Sequence, residues 1–82
     1  MNIRKDVAIS DNGFVFDPVT GESFTLNPIG VEILSLYKDG NKKSVIIDVL
    51  LNKYDVQKIE LEKSISDFEK MITDYNLTEK QQ

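Results

Sequence analysis

Residues 22–34 read ESFTLNPIGVEIL, and the fold turns on how that stretch is parsed. From Glu22 to Leu26 polar and apolar side chains alternate, the period of a strand with one buried face. The alternation stops at Asn27-Pro28. Ile29, Ile33, Leu34 and Tyr37 then recur at the three- and four-residue steps of a helix. Asn27 is a good N-cap, because its side-chain oxygen can accept a backbone N–H of the first turn. Pro28 suits the first helical position, where a missing N–H costs nothing. Gly30 costs about 1 kcal/mol relative to Ala inside a helix, so its presence there points to close packing of helix one under the sheet. Lys38-Asp39-Gly40 ends the helix, with Gly40 as the left-handed cap.

Upstream, two further strands are expected. Arg4 to Ser10 carries Val7 and Ile9 in alternation, and Phe14 to Asp17 follows the turn Asp11-Asn12-Gly13. Asp17-Pro18-Val19-Thr20-Gly21 is a second turn, leading into the strand Glu22–Leu26. The product is a three-stranded antiparallel meander. If Phe14, Phe16, Phe24 and Leu26 all face one core, opposed residues must have an even sum. An odd loop, Pro18-Val19-Thr20 with a bulge at Gly21, gives that register.

Downstream, helix two is expected from an N-cap at Ser44 to about Tyr54, with Ile46, Leu50 and Tyr54 every four residues. Val45, Ile47, Val49 and Leu51 flank that row, leaving Asp48, Asn52 and Lys53 as the polar face. A helix apolar over most of its circumference is central in a core or carries an interaction surface. Helix three is expected over about Gln57–Tyr75, on the stripe Leu61, Ile65, Phe68, Ile72 and Tyr75, with Asn76 as its left-handed cap. The fold class is α+β: a three-stranded antiparallel sheet followed by three helices, resembling a winged helix-turn-helix. Residues 1–77 form a single domain, and residues 78–82 are expected to fray.

Composition narrows function mainly by exclusion. The 82 residues include no Cys and no His, so disulfides, thiolate metal sites and the usual general base are missing. No phosphate-binding glycine loop, dinucleotide fingerprint or zinc spacing is present, so no cofactor is expected and the chain reads as no enzyme. No apolar run reaches the roughly 18–20 residues of a membrane span. MNIRKDVAIS has no apolar signal-peptide segment either, so a cytoplasmic protein without membrane partners is expected. Net charge is −4. Helix three sets Lys58, Lys63 and Lys70 against Glu60, Glu62, Asp67, Glu69 and Asp74, a solvated face and a poor match to DNA phosphates. A winged-helix regulator and a docking or weakly dimerising module using Val45 and Val49 remain the alternative readings, with no nucleic acid in the leading one.

An edge strand presents unpaired N–H and C=O groups, to which an extended peptide can add. Glu22–Leu26 carries no proline or lysine to block such pairing. From these residues alone, a peptide site and a merely short or covered edge are equally good readings.

Leu26-Asn27-Pro28-Ile29-Gly30, with Ile33 one turn on and Asp39-Gly40 closing the helix, resembles the signature of PqqD-like proteins. Those are peptide chaperones and recognition elements for ribosomally made, post-translationally modified peptides. The resemblance extends over nearly the whole chain, through Asp17-Pro18 with Thr20-Gly21, Ile46, Leu50, Tyr54-Asp55-Val56, Ile65, Phe68, Ile72 and Leu77. Asn76 stands where the family usually has Gly, Glu69 where an apolar residue is common, and Val45 where an acid is common. The resemblance implies that a precursor's leader segment adds to strand three, in a groove against helix three. It also implies presentation of that peptide to a tailoring enzyme, often a radical S-adenosylmethionine enzyme. Carried onto this chain, Ser23, Phe24, Thr25 and Leu26 supply the strand side, and Lys58, Leu61, Glu62 and Ile65 the helical wall.

Overall fold

The computed structural model describes residues 2–79. In chain order it has β1 (Ala8–Ile9), β2 (Phe14–Phe16), β3 (Ser23–Thr25), α1 (Pro28–Lys38), α2 (Lys43–Lys53) and α3 (Lys58–Asp74). The strands form an antiparallel sheet in the order β1-β2-β3, as the sequence predicts.

The register is not the expected one. Val15 pairs with Phe24, Phe14 with Thr25 and Phe16 with Ser23. Opposed residues therefore have an odd sum. The physical reason is the second turn. Asp17 N–H donates to Glu22 C=O, closing a loop of four residues, Pro18 to Gly21, rather than an odd loop with a bulge. The Asp17 carboxylate locks that turn by accepting the Val19 N–H at 2.9 Å. Consequently Val15 is the fully buried residue of β2, while Phe14 and Phe16 stand 46% and 38% exposed on the outer face. Phe24 and Leu26 do turn inward, each half-buried against the core.

β1 is shorter than the Arg4–Ser10 strand expected. Residues 4–7 make a turn, closed by Val7 N–H to Arg4 C=O, and Val7 drops into the core. The Asp11-Asn12-Gly13 turn forms with Gly13 at φ +88°. A Cβ on Gly13 would fall inside contact distance of the Leu26 carbonyl oxygen, and Gly13 C=O accepts the Leu26 N–H at 2.7 Å.

At the strand–helix junction the expectation is met. Asn27 Oδ1 accepts the Gly30 N–H at 2.8 Å and Pro28 takes the first helical position. Gly30 is buried, and a Cβ there would sit 3.2 Å from both Leu26 Cβ and the Phe68 ring. The close neighbours are thus the end of the strand and α3. α2 starts two residues earlier than an N-cap at Ser44 implies. Its N-cap is Lys42, whose side chain makes no capping bond, and Ser44 lies inside the first turn with its side chain exposed. α3 closes on Asn76 at φ +58°, with Asn76 N–H to Thr73 C=O and Leu77 N–H to Ile72 C=O, both 3.0 Å. This is the Schellman pattern, and it buries Leu77.

The two ends of the described residues meet. Ile3 bridges Thr78, Arg4 N–H donates to Leu77 C=O at 2.8 Å, and Glu79 N–H donates to Asn2 C=O at 2.9 Å. Of the tail expected to fray, Thr78 is the bridge partner of Ile3 and Glu79 is hydrogen-bonded to Asn2, and residues 80–82 lie outside the described residues. Arg4 also pairs with the buried Asp17 at 2.7 Å. Its guanidinium holds the Asp17 carboxyl below the usual carboxylate range, against the opposing effect of burial.

Two outcomes are expected. Gly13→Ala combines a left-handed backbone with a backbone clash, so it should destabilise the fold by about 2 kcal/mol or more, a drop of about 10 °C in Tm, read by thermal denaturation. For Asp17, whose pKa is depressed on folding, the pair stabilises fully above the unfolded value of about 3.9, and that stabilisation is lost as pH falls through the folded value. Denaturant melts should therefore show Asp17→Asn weaker than wild type near neutral pH, with the gap narrowing in strong acid.

Candidate functional site

The β2–β3 register decides which backbone groups are free. Hydrogen-bonded pairs alternate along an antiparallel ladder. Asp17 with Glu22 and Gly13 with Leu26 are such pairs, and Val15 with Phe24 is the one between them. The even-numbered residues of this strand therefore bond to β2. Ser23 and Thr25 turn their N–H and C=O groups away from β2, toward the open edge. Among the described residues no strand pairs with that edge.

Beside the edge runs a cleft of about 510 Å³, lined by Thr25, Leu26, Asn27, Ile29, Gly30 and Ile33 on one side and Ser64, Asp67 and Phe68 on the other. Gly30 brings α1 close enough for Phe68 to lie against it, which closes the floor. At the other end of the cleft wall the Phe24 and Tyr75 rings stack, with centroids 4.8 Å apart. Along α3 the row Ser64, Phe68, Met71 and Tyr75 has the three- and four-residue spacing of one helical flank. Phe68 and Met71 are half-buried against the core and Tyr75 is 40% exposed.

The strand side of the expected site is thus in position: Ser23 and Thr25 offer backbone, while Phe24 and Leu26 line the inner face. The helical side is different. Leu61 and Ile65 are buried at 5% and 0% exposure and support the wall from within the core. Lys58 and Glu62 are exposed, but on the flank shared with Glu69, away from the cleft. The residues that do line it, Ser64, Asp67 and Phe68, occupy the opposite shoulder of the same apolar stripe. The buried centre of that stripe, Leu61, Ile65 and Ile72, gives no preference between its two shoulders. Tyr75 and Phe68 carry the missing signal: they extend the stripe toward the Ser64–Met71 side.

The flank carrying Glu69 is committed to structure. Tyr37 is buried and its hydroxyl donates to Glu69 Oε2 at 3.0 Å, while Lys43 Nζ sits 3.3 Å from Glu69 Oε1. Burial, reinforced by Glu69, pushes the Tyr37 hydroxyl well above its usual pKa. The polar residue at position 69 is therefore explained by the phenol it satisfies. Across α1 and α2, Glu32 accepts from Lys53 and from the Tyr54 hydroxyl, and Lys53 holds its carboxyl below the usual range. Val45 and Val49 are 42% and 38% exposed on α2. Among the described residues no group of three or more potential metal ligands occurs, and no helix is long and apolar enough to cross a membrane.

Comparison with solved structures gives two close architectures. TbiB1, in complex with the TbiA(beta) leader peptide, is 26% identical with a TM-score of 0.84, covering 100% of this chain and 99% of that one. A lasso peptide synthetase B1, complexed with the leader peptide, is 24% identical with a TM-score of 0.75 over 89% of each chain, and shares the fold. No curated protein matches the sequence. The family model of coenzyme PQQ synthesis protein D matches residues 13–77, from the Gly13 turn to the buried Leu77. The chain belongs to the PqqD family.

Proposed function

We propose that this protein binds the leader segment of a ribosomally made precursor peptide as a fourth strand on β3. It holds that segment for a separate tailoring enzyme, such as a radical S-adenosylmethionine enzyme, and does no chemistry itself. The observation that carries the reading is the outward backbone of Ser23 and Thr25 beside a cleft lined in part by Leu26, Ile29, Ile33 and Phe68. Backbone bonds to an edge give affinity, and side-chain pockets give specificity. Membership of the PqqD family and the likeness to TbiB1, solved in complex with a leader peptide, support the same reading.

The geometry also says how a bound strand is read. Residues of an added antiparallel strand opposite Ser23 and Thr25 make the hydrogen bonds and point to the outer face, as those two side chains do. The residue opposite Phe24, and its neighbours two places away, point toward α3. Phe24, Leu26, Phe68 and Tyr75 are the surfaces they meet. The proposed binding residues are thus Ser23, Phe24, Thr25 and Leu26 with Ser64, Asp67, Phe68, Met71 and Tyr75.

Neither alternative is favoured by a specific observation. The β3 edge offers backbone pairing that a DNA-reading helix does not use. The exposed Val45 and Val49 are two side chains with nothing in the structure seated on them.

Proline scanning tests the proposal. Thr25→Pro removes an outward N–H, which an edge strand tolerates, so the fold should persist while leader-peptide affinity falls roughly tenfold. Phe24→Pro removes a bond to β2 and should instead destabilise the fold by about 2–4 kcal/mol. Amide shifts on peptide titration should centre on Ser23, Thr25 and the Ser64–Tyr75 flank. Shifts centred on α2, or equal binding by Thr25→Pro, refute strand addition at this edge.

A further inference from the structure

The rim of the cleft carries an unspent pattern of charge. Asp67 lines the cleft and is exposed. Glu60 and Asp74 lie seven residues before and after it, on nearly the same line of α3. All three are exposed, and Glu22, at the start of the β3 edge, is exposed too. The ion pairs among the described residues are Arg4 with Asp6 and Asp17, Lys43 with Glu69, and Lys53 with Glu32. None of the rim acids takes part. Lys63 and Lys70 sit further round α3 toward solvent and take part in none either. The cleft therefore combines an apolar floor, an unpaired backbone edge and a row of exposed acids that form no ion pair among the described residues, the nearest cations, Lys63 and Lys70, lying on the solvent side of that row.

Resting on the peptide-binding reading above, we propose that the segment this cleft accepts is a basic one. Apolar residues at alternate positions fill the floor, and Lys or Arg of the same parity flank them to meet the acids on α3. The spacing fits. From Glu60 to Asp74 the helix advances about 21 Å at 1.5 Å per residue. Six steps of an extended strand cover about 20 Å. Two basic residues six apart, with apolar residues between them at the second and fourth steps, thus share one face of the added strand and span the acidic row. Like-charge juxtaposition disfavours an acidic segment in the same place, so the rim selects as well as attracts.

The test uses the full chain and three capped heptapeptides, Ac-KSLTFSK-NH2 and its Gln and Glu counterparts at both Lys positions, followed by amide shifts at low and moderate salt. The Lys peptide should bind about five- to tenfold more tightly than the Gln peptide at low salt. The Glu peptide should bind most weakly, and added salt should compress the differences. In Asp67→Lys/Asp74→Lys, an exposed pair of changes, the order should invert. Equal affinities for the three peptides, with shifts still at Ser23 and Thr25, overturn the charge selection and leave strand addition standing. If none of the three peptides perturbs Ser23 or Thr25 at millimolar concentration, strand addition at this edge falls and the charge selection with it.

Discussion

The structure depends on one pairing, the hydrogen bond from Leu26 N–H to Gly13 C=O. Side chains alternate across a strand, so a one-residue slip moves every one of them to the opposite face. Gly13 admits this pairing because its backbone is left-handed and it has no Cβ to strike the Leu26 carbonyl. From it follow the burial of Val15, the exposure of Phe14 and Phe16, and the inward turn of Phe24 onto Tyr75. The same alternation leaves Ser23 and Thr25 facing outward. Fold and candidate site are thus two results of one register. A change that shifted it would exchange the groups offered at the edge even if the sheet survived.

The register is fixed from the other end by charge. Asp17 is buried, which costs solvation and would be unfavourable for an isolated carboxylate. Arg4 compensates it from the amino-terminal segment, and Val19 N–H from within the turn. A buried charge with a single cationic partner is a poor source of net stability but a strict specifier of geometry. Arg4 Nε also reaches Asn76 C=O at 3.3 Å, so one side chain ties the β2–β3 turn to the end of α3. The relation of β3 to Tyr75, made at the cleft by the Phe24–Tyr75 stack, is thus also held by contacts outside it.

Much of this was legible in the sequence. Element order, the Asn27–Pro28 junction, the tight packing at Gly30 and the Asn76 cap each rest on local chemistry with few alternatives. The register was not legible, because the phenylalanines at 14 and 16 compete with Val15 for the inner face and hydrophobicity ranks them wrongly. What decides is the four-residue turn closed by Asp17 N–H to Glu22 C=O, whose buried Asp17 carboxylate is held by the Val19 N–H and by Arg4, a partner distant in sequence. The strand residues keep their place beside the open edge because Phe24 and Leu26 keep their parity whichever residues oppose them. Of the helical residues, Leu61 and Ile65 lie in the core and Lys58 and Glu62 on the shoulder away from the cleft. An amphipathic stripe defines a centre, and the choice between its shoulders rests on the off-centre Phe68 and Tyr75 and on where β3 and α1 lie in three dimensions. Glu69 was similarly opaque: its partner Tyr37 is thirty-two residues away.

The meeting of the ends of the described residues has a consequence for architecture. Ile3 and Thr78 face each other across a bridge, so polypeptide leaving in either direction departs from one place on the surface. The unit therefore has the geometry of a plug-in module. It could be inserted in a surface loop of a larger protein by two adjacent linkers, without stretching the host or threading the β3 edge. Both linkers would then leave from the patch around Ile3 and Thr78, so the domain would join its host at one side. Tethering of that kind raises the local concentration of whatever the cleft carries without adding a contact.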